Sequence, residues 1–251
     1  MELFTATRCT YCYLADNRVD DFWTVDSSQV SRGFVGLEVH IPWPIADSLR
    51  TKGAGTDILG SDDRMSVYTA SWSSAPVAIF NGLNPITGYP PNSPPSYYLN
   101  PVTSLPGYDT TPLVAFWVKD VVHVPGESLS GTLRAVLLQD LPATDSLTVW
   151  VADCKNGVRA TRVEGGHFPM RTFNHVARNF QYFGALSQRG LAHAGDWTDM
   201  QFNFPLNLAG PIGGNPPPLE TLWNETQMEI VAIAQFKASR EVAQVVRVPV
   251  N

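Results

Sequence analysis

Charged residues are scarce in this chain of 251 residues. They make up 16% of the sequence, against about 25% in an average soluble domain. The 17 Lys and Arg residues are outnumbered by 23 Asp and Glu residues, which gives a formal net charge of −6. Because binding to nucleic acid relies on clustered positive charge, this balance argues against a nucleic-acid-binding groove. We therefore expect no nucleic-acid partner.

Long hydrophobic runs and catalytic motifs are also missing. No run of about 18 uncharged apolar residues is present, so the sequence predicts no membrane insertion. It contains no G-x-S-x-G nucleophile elbow, no glycine-rich phosphate loop and no H-E-x-x-H metal motif. We therefore expect a protein that is not an enzyme and that uses no cofactor and no metal ion.

Cysteine is rare as well, with only Cys9, Cys12 and Cys154. Such a low, odd number excludes a disulfide framework. The Cys-x-x-Cys spacing at 9–12 allows three interpretations. The pair could be a redox dithiol, as in a glutaredoxin, which needs a helix after Cys12 and a βαβ unit. It could bind zinc together with Cys154 and a histidine, or it could be buried or loop thiols without chemistry. Because residues 16–23 are only weakly helical and a second close ligand pair is missing, we favour the third interpretation.

What the sequence does contain is a series of short β segments separated by turn residues. The hydrophobic pattern predicts strands at 34–41, 66–72, 77–80, 113–124, 129–139, 147–152, 200–204, 229–236 and 242–248. One helix is expected from Thr172 to Gly184 or Gly190. Its apolar residues Phe173, Val176, Ala177 and Phe180 share a helical face. We therefore predict an all-β protein with a single domain over residues 1–251. Its architecture is an antiparallel β-sandwich or β-barrel with long Pro/Gly-rich loops and at most one or two short helices.

The segment Pro85–Pro112 has an unusual composition, because eight of its residues are proline and four are tyrosine. Proline stiffens an irregular loop, and long ordered loops often serve in binding. The alternative is a loop that only covers a sheet edge. We predict that two tyrosines and one aspartate of this loop contact a partner, together with an Asp–Trp pair further along the chain. These residues are Tyr97, Tyr98, Asp109, Asp196 and Trp197.

The overall pattern resembles a surface projection domain of a non-enveloped RNA-virus capsid, most of all an astrovirus spike domain. The resemblance covers residues 33–250 and includes the strand-rich run from Leu113–Val118 to Val149–Val151. It implies a viral spike on the virion surface that forms a homodimer, attaches to a host-cell receptor and is an antigen for neutralising antibodies. It carries over no binding-site residue. A complete jelly-roll shell protein is also open, although the absence of a basic arm favours a projection.

A carbohydrate-active β-sandwich is the alternative function. A glycoside hydrolase needs two carboxylates, for which Asp196 with Asp199 or Asp140 with Asp153 are candidate pairs. A lectin-like module would use Trp197, whose flat ring could stack on a sugar.

Overall fold

The computed structural model describes residues 1–24, 35–41, 47, 49–50, 58–68, 74–90, 92–93, 97–98, 112–164, 166–167, 169–206 and 227–250. The N-terminal part, residues 1–90, contains β1 (Glu2–Thr5), α1 (Cys12–Thr24), β2 (Leu37–His40), α2 (Ser61–Ser66), β3 (Val77–Phe80) and β4 (Leu83–Thr87). The C-terminal part, residues 112–250, contains β5 (Val114–Val124), β6 (Ser128–Leu137), β7 (Leu147–Lys155), β8 (Val158–Thr161), β9 (Met170–Phe173), β10 (Val176–Ala185), a 3-10 helix (Leu186–Arg189), β11 (Trp197–Pro205), β12 (Met228–Phe236) and β13 (Val242–Pro249).

The N-terminal part is built around a βαβ unit. Strands β1 and β2 pair in parallel, while β3 pairs antiparallel to β1 and β4 antiparallel to β3. Helix α1 packs Ala15 and Val19 against Leu3 of β1. The parallel pairing follows from the helix between the two strands, because parallel neighbours need a crossover connection.

The C-terminal part is a β-sandwich. Its smaller sheet has the strand order β11-β6-β5, and it faces the larger sheet across the main hydrophobic core. In β11, buried Met200, Phe202 and Phe204 alternate with more exposed residues, so one face of the strand contacts the core. Strand β7 lies between β12 and β10 in the larger sheet and is buried along its whole length.

Both parts share one sheet of eight strands in the order β13-β12-β7-β10-β2-β1-β3-β4. The junction is the short parallel pairing of β10 with β2, where the Glu38 N–H donates to the His175 carbonyl at 2.9 Å. Beside the junction, Arg64 of α2 forms a bidentate ion pair with Glu2 of β1 and donates to Gln235 of β12. Arg64 is fully buried.

A two-stranded hairpin of β8 and β9 is inserted between β7 and β10. Its apolar residues Val158, Ala160 and Phe173 pack with Leu49, which follows β2. The hairpin therefore connects the sandwich to the N-terminal part at a second place.

The predicted fold class is confirmed, since the protein is mostly β with antiparallel-rich sheets arranged as a sandwich. Most predicted strands agree with the observed ones to within a few residues. The single-domain assignment over 1–251 stays a prediction. Among the described residues, no helix combines the length and the apolar character that crossing a bilayer requires.

Three local predictions are wrong. The helix expected over 172–184 is replaced by the end of β9 and by β10, because the first half of β10, residues 176–180, is buried on both faces and so lacks a strand-like alternation. Residues 16–23, judged weakly helical, lie within helix α1. The strand expected at 66–72 begins with the end of α2 and a turn through Tyr68, and its remaining residues lie outside the described ones.

Candidate functional site

Cys9 and Cys12 form a disulfide at the start of helix α1. Strand β1 ends at Thr5, and two turns follow in which the Cys9 N–H donates to the Ala6 carbonyl and the Cys12 N–H to the Cys9 carbonyl. Cys9 is 2% exposed and Cys12 is fully buried, whereas Tyr11 between them is 55% exposed. The disulfide therefore lies just below an exposed turn.

A second segment approaches the disulfide from the side of β3. The Cys9 Sγ lies 3.4 Å from the Ala75 carbonyl oxygen, and Ala75 packs in a small apolar cluster with Ala6 and both cysteines. The Ala75–Pro76 peptide bond that leads into β3 is cis. A disulfide sulfur carries no hydrogen, so in this state the Cys9–Ala75 approach is a contact, whereas a reduced Cys9 could donate a hydrogen bond there.

A buried carboxylate lies below the disulfide. Asp16 follows Cys12 by four residues on α1, so their side chains share one face of the helix. The Thr5 hydroxyl donates to Asp16 Oδ1 at 2.6 Å, and Arg162 Nη1 lies 3.4 Å from Asp16 Oδ2. Both members of this ion pair are at least 95% buried.

Arg162 comes from the C-terminal part, directly after β8. Besides Asp16 it contacts Asn17 Oδ1 at 2.9 Å and Glu164 Oε1 at 2.6 Å. Hydrogen bonds from Arg171, followed by those from Arg162, lower the pKa of Glu164 to about 2. An arginine-carboxylate chain thus extends from the buried side of α1 to the surface of the β8–β9 hairpin.

The loop before Cys9 is held by backbone hydrogen bonds. The Thr7 carbonyl accepts from the Val163 N–H at 2.8 Å, and the Thr7 N–H donates to the Asp47 carboxylate. Burial by itself raises the pKa of Asp47, but His40, whose Nδ1 lies 3.3 Å away, and the N–H groups of Leu49 and Thr7 lower it overall. Asp47 is therefore a charged anchor for this loop.

Four of the five predicted contact residues are described, and the structure does not bring these four together. Tyr98 is fully buried and packs with Phe80 and Tyr89, and Tyr97 lies partly buried beside them. Asp109 lies outside the described residues. The other two residues, at the start of β11, are far along the chain in the smaller sheet.

Asp196 and Trp197 differ in their surroundings. Asp196 accepts the backbone N–H groups of Ala192 and His193 at 2.8 Å, which is the geometry of a turn cap. Trp197 is 57% exposed, and the Arg134 guanidinium stacks 4.3 Å from its ring centroid. Whether these residues bind a partner stays a prediction.

The residues that the structure brings together are Cys9, Cys12, Asp16 and Arg162. The cysteine spacing pointed to the first two, but a redox role also needs a βαβ unit, which local pattern did not reveal. Nothing in the sequence links Arg162 to Asp16 across 146 positions. The zinc interpretation finds no support, since Cys154 is buried in β7 and no metal-binding group of His, Cys, Asp or Glu occurs among the described residues.

Comparison with known proteins gives a similarity in fold only. No protein-family model and no curated protein matches the chain. The solved structure of HBP35 of Porphyromonas gingivalis is similar with a TM-score of 0.62 at 14% identity, over 98% of this chain and 73% of that one. A domain of the outer membrane lipoprotein Omp28 from Porphyromonas gingivalis gives a TM-score of 0.31 at 13% identity, over 57% of this chain and 91% of that one. The β-glucosidase from Kluyveromyces marxianus gives 0.29 at 12% identity, over 58% and 14%. The last two scores are too low to carry an argument.

The comparison overturns the viral interpretation. A fold shared with a bacterial protein over 98% of the chain contradicts the likeness to an astrovirus spike. The predicted function as a capsid spike for host-cell attachment is therefore wrong, as are the virion-surface location and the capsid and antigen assignments. The carbohydrate-active alternative finds no support either. The predicted homodimer, receptor and antibody partners are not tested.

Proposed function

We propose that this protein is a thiol–disulfide oxidoreductase whose redox centre is the pair Cys9–Cys12. The observation that carries the proposal is the placement of a Cys-x-x-Cys disulfide where β1 of a βαβ unit passes into helix α1. This combination is typical of thioredoxin-like redox proteins. The proposal departs from the sequence-based expectation of a protein that is not an enzyme.

Cys9 is the attacking thiol in this proposal. It precedes α1, whose N-terminal N–H groups and positive end of the dipole stabilise a thiolate. Cys9 is also the less buried of the two cysteines, and its neighbours along the chain, Arg8, Thr10 and Tyr11, are exposed. Cys12, inside the helix and fully buried, is the resolving thiol.

The reaction is a two-electron exchange in two steps. The Cys9 thiolate attacks one sulfur of a substrate disulfide, the substrate S–S bond breaks, and the leaving thiolate takes up a proton. Cys12 then loses its proton and attacks the Cys9 sulfur, which releases the second substrate thiolate. The substrate is reduced to two thiols, and the protein is left with the Cys9–Cys12 disulfide. The reverse sequence oxidises a dithiol substrate.

Asp16 can accept the proton that Cys12 gives up. Its carboxylate is buried one helical turn from Cys12, and hydrogen bonds from Thr5 and Arg162 hold it in place. Cys154 takes no part, since burial raises the pKa of its thiol well above the usual value.

Equilibration with a glutathione redox buffer tests the proposal. The fraction of protein in the disulfide form is measured by alkylating free thiols and determining the protein mass by mass spectrometry. Wild type should follow a two-electron equilibrium and should reduce a peptide disulfide. The variants Cys9→Ser and Cys12→Ser should lose turnover by at least about 100-fold, because the exchange needs both sulfurs. Cys154→Ser is the matched control and should retain the wild-type rate.

Trapping of the mixed disulfide tests the order of attack. With oxidised glutathione, Cys12→Ser should accumulate a glutathione adduct on Cys9, whereas Cys9→Ser should accumulate little adduct on Cys12. Turnover of the two serine variants at the wild-type rate would contradict the proposed function. An adduct that forms only on Cys12 would reverse the two roles.

A further inference from the structure

The segment after β8 contacts the chain on both sides of the redox pair. On one side, the Val163 N–H donates to the Thr7 carbonyl, two residues before Cys9. On the other side, Arg162 reaches Asp16 and Asn17, four and five residues after Cys12. The C-terminal part therefore supplies groups that lie directly against the proposed redox centre.

The Arg162 guanidinium is held tightly in this position. It is 96% buried at the side chain, it stacks 5.5 Å from the Phe173 ring centroid, and it donates to Glu164 through two nitrogens. A buried carboxylate without a cation would take up a proton, because burial disfavours its charged form. The pairing with Arg162 thus favours the ionised form of Asp16.

We propose that Arg162 is a positioning residue for the exchange reaction, which keeps the Asp16 carboxylate ionised and oriented below Cys12 so that it can accept the Cys12 proton. This inference rests on the proposed function. It assigns to the C-terminal part a direct role in the chemistry of a redox pair that belongs to the N-terminal part.

Several other groups surround Asp16 and are considered in the test. Tyr98 lies close enough that the charge of Asp16, after burial, contributes to raising its pKa. Among the described residues, the titratable and charged groups packed around the Asp16–Arg162 pair include Tyr98 from the loop after β4, Tyr13 of α1, Glu164 and Arg171 of the hairpin, and His40 with Asp47 behind Phe173.

The test is the pH dependence of exchange in single turnovers. Reduced protein is mixed with oxidised glutathione, and the rate of the Cys12 step is followed by release of the second thiol. Removing an opposite charge raises a carboxyl pKa by about 1–3 pH units, so Arg162→Gln should move the acid limb of the profile to higher pH by that amount. It should also slow the step several-fold near neutral pH. Arg162→Lys keeps the charge and should restore part of the shift.

Arg171→Gln is the matched control. Arg171 donates to Glu164 as Arg162 does, but its side chain is exposed on the hairpin and both of these hydrogen bonds go to Glu164. Its profile should coincide with that of wild type. In the Asp16→Asn background, adding Arg162→Gln should produce no further shift, because the group through which Arg162 acts is absent.

Each result decides the proposal. A folded Arg162→Gln variant with the wild-type profile would overturn it, as would an Arg171→Gln variant with an equal shift. If Arg162→Gln alone does not fold, the double variant with Asp16→Asn is compared with Asp16→Asn, and a difference between their profiles overturns the proposal. If wild type shows no exchange, the proposed function fails. In that case the role of Arg162 is tested by following thiolate formation through its ultraviolet absorbance as a function of pH. A thiolate titration at higher pH in Arg162→Gln than in wild type supports the coupling of Arg162 to the cysteines, and coincident titrations contradict it.

Discussion

The neighbours of Gly82 leave no room for a side chain at this position. It lies between β3 and β4 with φ +74, where left-handed backbone favours glycine. A Cβ at this position would lie 1.8 Å from the Arg240 carbonyl oxygen, in the turn between β12 and β13. The two turns can therefore pack only because Gly82 has no side chain.

Substitution of Gly82 by alanine should lower the free energy of unfolding by roughly 2–4 kcal/mol, the sum of backbone strain and a clash that moves the neighbouring turn. Gly88→Ala is the control, because Gly88 has φ +78 but open space around its Cβ position. It should lose only about 1 kcal/mol. Urea denaturation measures both, and equal losses would show that the clash is relieved at little cost.

A β-bulge between β7 and β10 is closed by a carboxylate. The pairing shifts register between Ala177 and Asn179, and Asp153 of β7 accepts the Asn179 N–H at 2.7 Å. Asp153 is fully buried, and burial raises its pKa to about 6 despite the opposing effect of Arg178. The bulge is therefore stabilised by a group whose protonation changes in an accessible pH range.

The sign of the resulting pH dependence follows from proton binding. The folded protein holds the Asp153 proton up to about pH 6, whereas the unfolded chain releases it near 3.8. The free energy of unfolding should therefore decrease as the pH rises through this window, by roughly 3 kcal/mol in all. Asp153→Asn should remove this decrease while retaining an oxygen for the Asn179 N–H.

The pH dependence of stability is measured by thermal denaturation. Asp145→Asn is the control variant. The N–H groups of Ser239 and Ala238 lower the pKa of Asp145, so its contribution is lost as the pH falls. Its removal should leave the Asp153 window unchanged. A wild-type stability that rises between pH 4 and 6, with the same slope in Asp153→Asn, would contradict the assignment.

Elements with strong local signals could be predicted from sequence, and those that depend on distant contacts could not. Strand β3 was predicted with its observed ends, and β11 from its alternation. Helix α1 is composed of residues with modest helical propensity, and the packing of Ala15 and Val19 on β1 stabilises it. The sequence of β10 resembles that of an amphipathic helix, because the strand is buried on both faces over residues 176–180 and so shows no alternation there.

The candidate site could be predicted only in part, because it also depends on contacts between distant segments of the chain. The spacing of Cys9 and Cys12 raised the redox interpretation, but the evidence that favours it is the parallel pairing of β1 with β2. That pairing depends on tertiary contacts. The ion pair of Asp16 with Arg162 depends on the docking of the β8–β9 hairpin, which no local pattern encodes.

At the scale of the whole molecule, the two parts are joined by a buried polar network as well as by the shared sheet. Arg64 of α2 pairs with Glu2 and hydrogen bonds to Gln235 and Tyr68. The guanidinium also stacks 4.9 Å from the ring centroid of Trp150 in β7. This one side chain therefore contacts both parts of the chain.

Arg64→Met should lower the free energy of unfolding by roughly 3–5 kcal/mol, because it leaves the buried Glu2 carboxylate without its cation. Arg50→Met is the control, since Arg50 pairs with the partly exposed Asp62. Its loss should cost no more than about 1 kcal/mol. Chemical denaturation followed by tryptophan fluorescence and by far-ultraviolet circular dichroism measures both. Equal losses in the two variants would contradict the role of the buried network.

The docking of the hairpin against the cysteine loop has a thermodynamic consequence. Reduction of the disulfide could change the strength of the contacts that Val163 and Arg162 make. A molecule that binds the hairpin more tightly in one oxidation state would then shift the free energy of reduction by the difference between its two binding free energies. Binding of a partner to the hairpin would then change the reduction potential of the Cys9–Cys12 disulfide without contact between the partner and either sulfur.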